Sequence, residues 1–198
     1  MARYPVHGKR WSPVLALATT LLWMPAPAAA DMPVAERILQ CAACHGEDGN
    51  SRMERTPSLA GQPEFFLINQ LILMREGVRV IEVMTPFVKD LEDSDVEALA
   101  RHFANLVPKL SSEPADPKLA ARGADLSQRL HCGSCHRADF AGQDQMPRIA
   151  GQRIDYMIEA LKDFRDNTRS GADTLMSAAV YGLGDGDLAA LAHYAASR

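Results

Sequence analysis

Tryptophan is missing from everything after residue 30, and cysteine is scarce. Trp11 and Trp23 are the only tryptophans, and the chain of 198 residues has four cysteines. Beyond residue 30 no apolar run approaches the roughly 20 residues that a membrane-spanning helix needs. No segment alternates apolar and polar residues as a half-buried strand does. The sequence therefore predicts neither a sheet-based fold nor an integral membrane segment after residue 30.

The first 30 residues have a different character from the rest. Three basic residues lie within the first ten positions, an apolar run covers residues 14–24, and Ala28–Ala30 offers small side chains just before Asp31. This order is typical of a secretory signal peptide, and no Arg-Arg pair indicates the twin-arginine route. We expect residues 1–30 to be cleaved after Sec-type export, which gives a soluble periplasmic protein.

Positive charge is also in short supply. Removing the three basic residues of the signal from the 21 in the chain leaves 18 against 25 acidic residues, a net charge of −7. A nucleic-acid-binding domain would carry a basic footprint. We therefore expect no nucleic-acid partner.

The rest of the chain is a tandem repeat. Cys41 recurs as Cys132 at an offset of 91, residues 57–62 (PSLAGQ) recur as residues 147–152 (PRIAGQ) at 90, and Met84 recurs as Met176 at 92. Between the copies, residues 107–118 contain three prolines and read as a linker. The predicted domains are residues 31–106 and 119–198.

Both copies have helical periodicity. Apolar residues follow Gln62 and Gln152 at helical spacing, and Ser94–Glu97 has the pattern of a capping box at the start of the last helix of the first copy. Each copy has roughly 75 to 80 residues, a size at which an apolar core alone is marginal. The prediction is two small all-α domains, each helped by a bound group.

Each copy contains the motif Cys-x-x-Cys-His, at Cys41–His45 and Cys132–His136. Disulfides explain neither the spacing nor the histidine, and a thioredoxin-like pair would need a βαβ unit. Zinc would need further ligands, or a meeting of both pairs across the linker. Covalent attachment of haem c accounts for every residue. The thioethers would form at Cys41, Cys44, Cys132 and Cys135, with His45 and His136 as ligands of the two irons.

The repeat also selects the second axial ligands. Met84 and Met176 are the only methionines after the signal that coincide between the copies, 39 and 40 residues beyond their histidines. We predict that each ligates iron from a loop before the last helix. Pro57 and Pro147 follow the histidines by 12 and 11 residues, and their carbonyls are candidate acceptors for the other imidazole N–H.

These motifs resemble the class I c-type cytochromes, and specifically the dihaem cytochrome c4 family. The resemblance runs through Cys-x-x-Cys-His, Pro-x-x-Ala-Gly-Gln with a following aromatic, residues 75–79 and 165–169, and the paired methionines. It implies two cytochrome c folds packed through their haem faces. Arg79 and Arg169 would then be propionate neighbours, with solvated loop charges as the alternative. Asn167 stands where the first copy has Gly77, a replacement that a left-handed backbone tolerates.

His/Met ligation favours ferrous iron and leaves no vacant coordination position, which indicates electron transfer rather than catalysis. We expect a soluble carrier that links a respiratory donor to a terminal oxidase or reductase. Its partners would be redox proteins, and peripheral association with a membrane is compatible with the sequence. The alternative is a dihaem electron-transfer subunit of a periplasmic dehydrogenase, of the flavocytochrome c sulfide dehydrogenase type.

Overall fold

A computed structural model describes residue 1, residues 32–171 and residues 174–198. Apart from its first residue, the predicted signal peptide lies outside the described residues. Within these ranges the chain forms nine helices and no strand, with one isolated antiparallel bridge between Gln143 and Met146. No helix in the described ranges is long and apolar enough to cross a membrane. The all-α prediction is confirmed for these residues.

The first half contains four helices around one apolar core. These are α1 (Val34–His45), α2 (Glu64–Arg75), α3 (Thr85–Val88) and α4 (Asp93–Ala104). Helix α4 packs against both α1 and α2. Its residues Val96, Leu99 and Phe103 recur at spacings of three and four, and all are buried in the core. The loop between α1 and α2 returns to the first Cys-x-x-Cys-His motif, where Ser51 donates to the Cys44 carbonyl and the Pro57 carbonyl lies 2.8 Å from His45 Nδ1.

The second half repeats the arrangement with an extra break. It contains α5 (Pro117–Arg129), α6 (Cys132–His136), α7 (Ile154–Arg165), α8 (Thr174–Val180) and α9 (Asp185–Ala196). Helices α5 and α9 cross in close contact, and α7 also packs on α9. A Cβ added to Gly123 would lie 2.0 Å from the carbonyl oxygen of Ala190, so only glycine permits this crossing.

Helix α4 begins slightly earlier than the capping-box pattern predicts. Its N-cap is Glu92 rather than Ser94, and the side chain of Asp95 accepts a hydrogen bond from the Glu92 N–H at 3.1 Å. A glutamate carboxylate caps the backbone here in the way a serine hydroxyl would. The shift places Asp95 toward α1, where it forms a buried ion pair with Arg37 at 3.2 Å.

Most of the predicted linker has no regular secondary structure. Residues 107–116 contain no helix or strand, but Pro117 starts α5, with the Asp116 carboxylate accepting hydrogen bonds from two backbone N–H groups. A proline fits the first turn of a helix because its missing N–H has no partner there. The linker is also held to the first half, because Asn50 accepts from the Lys109 N–H at 2.8 Å and donates to the Val107 carbonyl at 3.1 Å.

Candidate haem-binding sites

The first Cys-x-x-Cys-His motif closes α1. Cys41 and Cys44 are half-buried, and His45 is the last residue of the helix, only 6% exposed. The Nδ1 atom of His45 lies 2.8 Å from the carbonyl oxygen of Pro57. The last five residues of the helix therefore present two thiols and an imidazole, and a hydrogen bond sets the orientation of the ring.

The second motif forms its own short helix, α6. His131, in the left-handed conformation with φ of 55°, separates α6 from α5. Cys132 is half-buried, Cys135 is exposed, and His136 is 8% exposed. The Nδ1 atom of His136 lies 2.8 Å from the carbonyl oxygen of Pro147. The two halves thus build the same histidine contact on different helical supports.

The surroundings of both histidines favour the neutral imidazole that binds a metal. Burial lowers the pKa of His45 and of His136, and the hydrogen bond to the proline carbonyl offsets this only in part. A carbonyl oxygen can only accept, so the proton of each neutral ring is assigned to Nδ1. The lone pair of each Nε2 is then free to bind iron.

The four cysteines are free of disulfide bonds. Burial raises the pKa of the Cys41 and Cys132 thiols, whereas a redox-active pair needs a thiol whose pKa is lowered. In the part of the chain that the structure describes, no group of three or more His, Cys, Asp or Glu side chains could hold a metal ion. This geometry therefore supports neither disulfide exchange nor zinc binding. It supports the attachment of haem through thioether bonds to the four free thiols.

The paired methionines lie at short helices. Met84 is the N-cap of α3 and packs against the first core, and Met176 is a half-buried residue within α8. Met84 lies in the turn just before α3, as predicted for a loop residue, whereas the prediction that Met176 lies in a loop is wrong, because this residue is inside α8. Pro86 suits the first turn of α3, and the apolar run that follows Thr174 continues as a helix.

Arg79 and Arg169 meet at one aromatic residue between the halves. Arg79 is 8% exposed, burial lowers its pKa, and its Nη1 atom donates to Gln70 Oε1 at 2.5 Å. Both guanidinium groups lie near Tyr156; burial alone would raise the pKa of this phenol, but the two nearby cations outweigh it and lower the pKa. Two cations converge here, which is a suitable environment for carboxylates.

Arg148 is a cation that the sequence reasoning did not single out. Its Nε atom is buried without a hydrogen-bond partner, and burial lowers its pKa. Arg148 as a whole is half-buried, and a guanidinium with a buried, unpartnered Nε fits a site that accepts an anionic group, as a haem propionate would be. Its position beside Pro147 was the available sequence clue. The free thiols, the two neutral imidazoles and the unpartnered Nε of Arg148 together fit the binding of haem.

Two glutamines join the halves in a reciprocal way. Gln62 donates to the Arg148 carbonyl at 2.8 Å and accepts from the Arg148 N–H at 3.0 Å. Gln152 donates to the Ser58 carbonyl at 2.9 Å and accepts from the Ser58 N–H at 2.8 Å. The glutamines occupy equivalent positions of the repeat, as do their partners. The sequence showed the repeated Gly-Gln pair but not this contact.

This fold and this pair of sites define the class of dihaem c-type cytochromes. The family model described as Cytochrome c matches residues 120–197. Cytochrome c4 of Pseudomonas aeruginosa is 34% identical over 78% of this chain and 81% of its own length. The thiosulfate dehydrogenase electron acceptor of Thiomonas intermedia is 34% identical over 80% of this chain and 77% of its own.

A solved structure gives the same result. The crystal structure of reduced recombinant cytochrome c4 from Pseudomonas stutzeri matches with a TM-score of 0.77 and 32% identity, covering 83% of this chain and 96% of that one. The chain belongs to the cytochrome c4 family. It is an electron-transfer protein rather than an enzyme, and its cofactors are two covalently bound haem c groups.

Proposed function

We propose that residues 31–198 form a periplasmic carrier that takes electrons from a respiratory donor and passes them to a terminal oxidase or reductase. In this proposal residues 31–106 and 119–198 are the two domains, joined by residues 107–118. The first haem is attached through Cys41 and Cys44 and the second through Cys132 and Cys135. The first iron would be held by His45 with Met84, and the second by His136 with Met176.

The matched histidine contacts carry this proposal. At equivalent positions of the repeat, each Nδ1 lies 2.8 Å from a proline carbonyl, and this leaves Nε2 unprotonated. Each haem, when bound, supplies one-electron chemistry. The chain's own residues orient the imidazole rings, keep them neutral and would supply a methionine thioether as a further ligand. Arg79, Arg169 and Arg148 provide positive charge for the propionates.

Exchange of the two methionines tests the ligand assignment. Met84→Leu and Met176→Leu keep the side-chain volume but remove the sulfur, so each variant should open one haem to carbon monoxide and lose half of the ferric absorption that reports methionine ligation. Met74→Leu and Met157→Leu are matched controls, since these methionines pack in the two cores. The assignment fails if the Met84 and Met176 variants keep the unmodified spectrum.

The relative from Thiomonas intermedia favours a second candidate, in which this chain accepts electrons from a periplasmic dehydrogenase. That candidate includes permanent association, as in a subunit of the flavocytochrome c sulfide dehydrogenase type. Purification from the exported fraction separates the two. A free carrier elutes alone, whereas a subunit co-elutes with its dehydrogenase in fixed ratio. Reduction of the purified protein by added thiosulfate dehydrogenase with thiosulfate would support the second candidate.

A further inference from the structure

The peptide group that follows Pro57, and the one that follows Pro147, each link the two halves. The carbonyl of Pro57 accepts from His45 Nδ1 at 2.8 Å, and the N–H of the same peptide group, which belongs to Ser58, donates to Gln152 Oε1 at 2.8 Å. His45 is in the first half and Gln152 in the second. A single peptide therefore connects the first proximal histidine to a side chain of the other domain.

The same connection runs in the opposite direction. The Pro147 carbonyl accepts from His136 Nδ1 at 2.8 Å, and the N–H of Arg148 in the same peptide group donates to Gln62 Oε1 at 3.0 Å. Each glutamine also donates its amide NH₂ to the next carbonyl of the partner segment. The backbone partners thus define which end of each amide carries the oxygen.

These contacts are shielded from solvent. Gln62 and Gln152 are 5% and 6% exposed. A cavity of about 10 Å³ at this contact is lined by both glutamines and by Ser58 and Arg148, and it is at the lower limit of the space that one water needs. Direct hydrogen bonds in such surroundings polarise one another more strongly than in water.

An acceptor on a peptide N–H makes the carbonyl of the same peptide a stronger acceptor. A stronger acceptor on Nδ1–H gives the imidazole more imidazolate character, and this stabilises ferric iron. We propose that Gln152 tunes the haem held by His45, and that Gln62 tunes the haem held by His136, so that each domain lowers the reduction potential of the other domain's haem. This rests on the proposed ligand assignment, and it makes the glutamines positioning residues.

The test is a crossed pair of variants of the full dihaem protein. Gln152→Leu should raise the potential of the first haem and leave the second unchanged, and Gln62→Leu should do the reverse. In the reduced, diamagnetic protein labelled with ¹⁵N-histidine, the Nδ1–H proton of His45 should move upfield in the Gln152 variant only. That of His136 should move in the Gln62 variant only.

Ser170→Ala is the control for simple loosening of the interface. It removes another neutral contact between the halves, from the Val80 N–H to Ser170 Oγ at 2.9 Å, and should move neither Nδ1–H resonance. If a leucine variant does not fold, Gln152→Asn or Gln62→Asn, with an amide one methylene shorter, should give a smaller shift of the same sign at the same haem.

Two results would contradict the proposal that each glutamine tunes the haem of the other domain. One is an equal shift of the reduction potential at both haems in each variant, which would mean that the glutamines only stabilise the interface. The other is no shift of the Nδ1–H proton of His45 or of His136 in variants that keep the visible spectrum of both haems. The ligand assignment would then stand, but the tuning by the glutamines would not. Failure of the ligand assignment itself shows instead as methionine variants with an unaltered spectrum.

Discussion

At the scale of single residues, backbone conformation accounts for a departure within the repeat. Asn167 replaces the glycine found at residue 77 of the first copy, and both residues are left-handed, with φ of 53° and 68°. The sequence predicted that asparagine would be tolerated, because its short polar side chain visits this region more readily than others. The structure confirms the left-handed conformation.

Asn167→Ala should lower the free energy of unfolding by about 1 kcal/mol, because alanine is strained in this conformation. Asn167→Gly should match the unmodified protein. Gly77→Ala should show a similar loss of about 1 kcal/mol, since a Cβ there meets no atom within 4 Å and the cost is conformational alone. Urea unfolding followed by circular dichroism measures all three. An alanine variant at residue 167 with unchanged stability would contradict this explanation.

The residue scale also shows the limit of sequence reasoning. Spacing and repetition were sufficient to select the cysteines, the histidines and Pro57 and Pro147, because these groups are fixed by local chemistry. Arg148 was missed, because its significance lies in a buried Nε atom without a partner, and burial depends on the neighbouring domain. The sequence contains the residue but not its surroundings.

At the scale of elements, the two halves reach similar folds through different helix ends. One helix leads into His45, whereas a left-handed residue divides the corresponding segment before His136. The periodicity predicted α2, α4, α7 and α9, since the apolar faces of these helices are determined locally. It did not predict α3 and α8, which are short and have a composition that a loop could equally have.

The crossing of α5 and α9 depends on Gly123. Gly123→Ala should destabilise the protein by about 1–3 kcal/mol, because the new methyl group would overlap the Ala190 backbone and the helices would have to separate. A glycine inside a helix normally weakens it, so its requirement here follows only from the packing.

Gly186→Ala is the matched control in α9. Its new Cβ would meet nothing closer than the Arg122 guanidinium at 3.9 Å, and helix propensity should make it neutral or stabilising by up to about 1 kcal/mol. In urea unfolding, the midpoint of Gly123→Ala should therefore be below that of the unmodified protein, and the midpoint of Gly186→Ala should equal or exceed it. Equal midpoints would show that the crossing tolerates a methyl group.

At the scale of the whole molecule, the two halves of the duplicated chain are held together because equivalent segments form reciprocal contacts with each other. The glutamines pair with backbone groups 86 and 94 residues away, and Arg55 forms an ion pair with Glu159. The sequence predicted two domains, but no local pattern encodes how they face each other. The repeat therefore indicated that there are two haem-binding sites. Only the packing of the halves shows the hydrogen bonds through which one half reaches the site of the other.

The account depends on two haems joined to the exported polypeptide. Intact mass and visible spectra of protein exported from cells that attach haem c test this most directly. We expect the mass of residues 31–198 plus two haems, with both irons six-coordinate in the ferric and ferrous states. A mass equal to the polypeptide alone, or a single haem, would contradict the account.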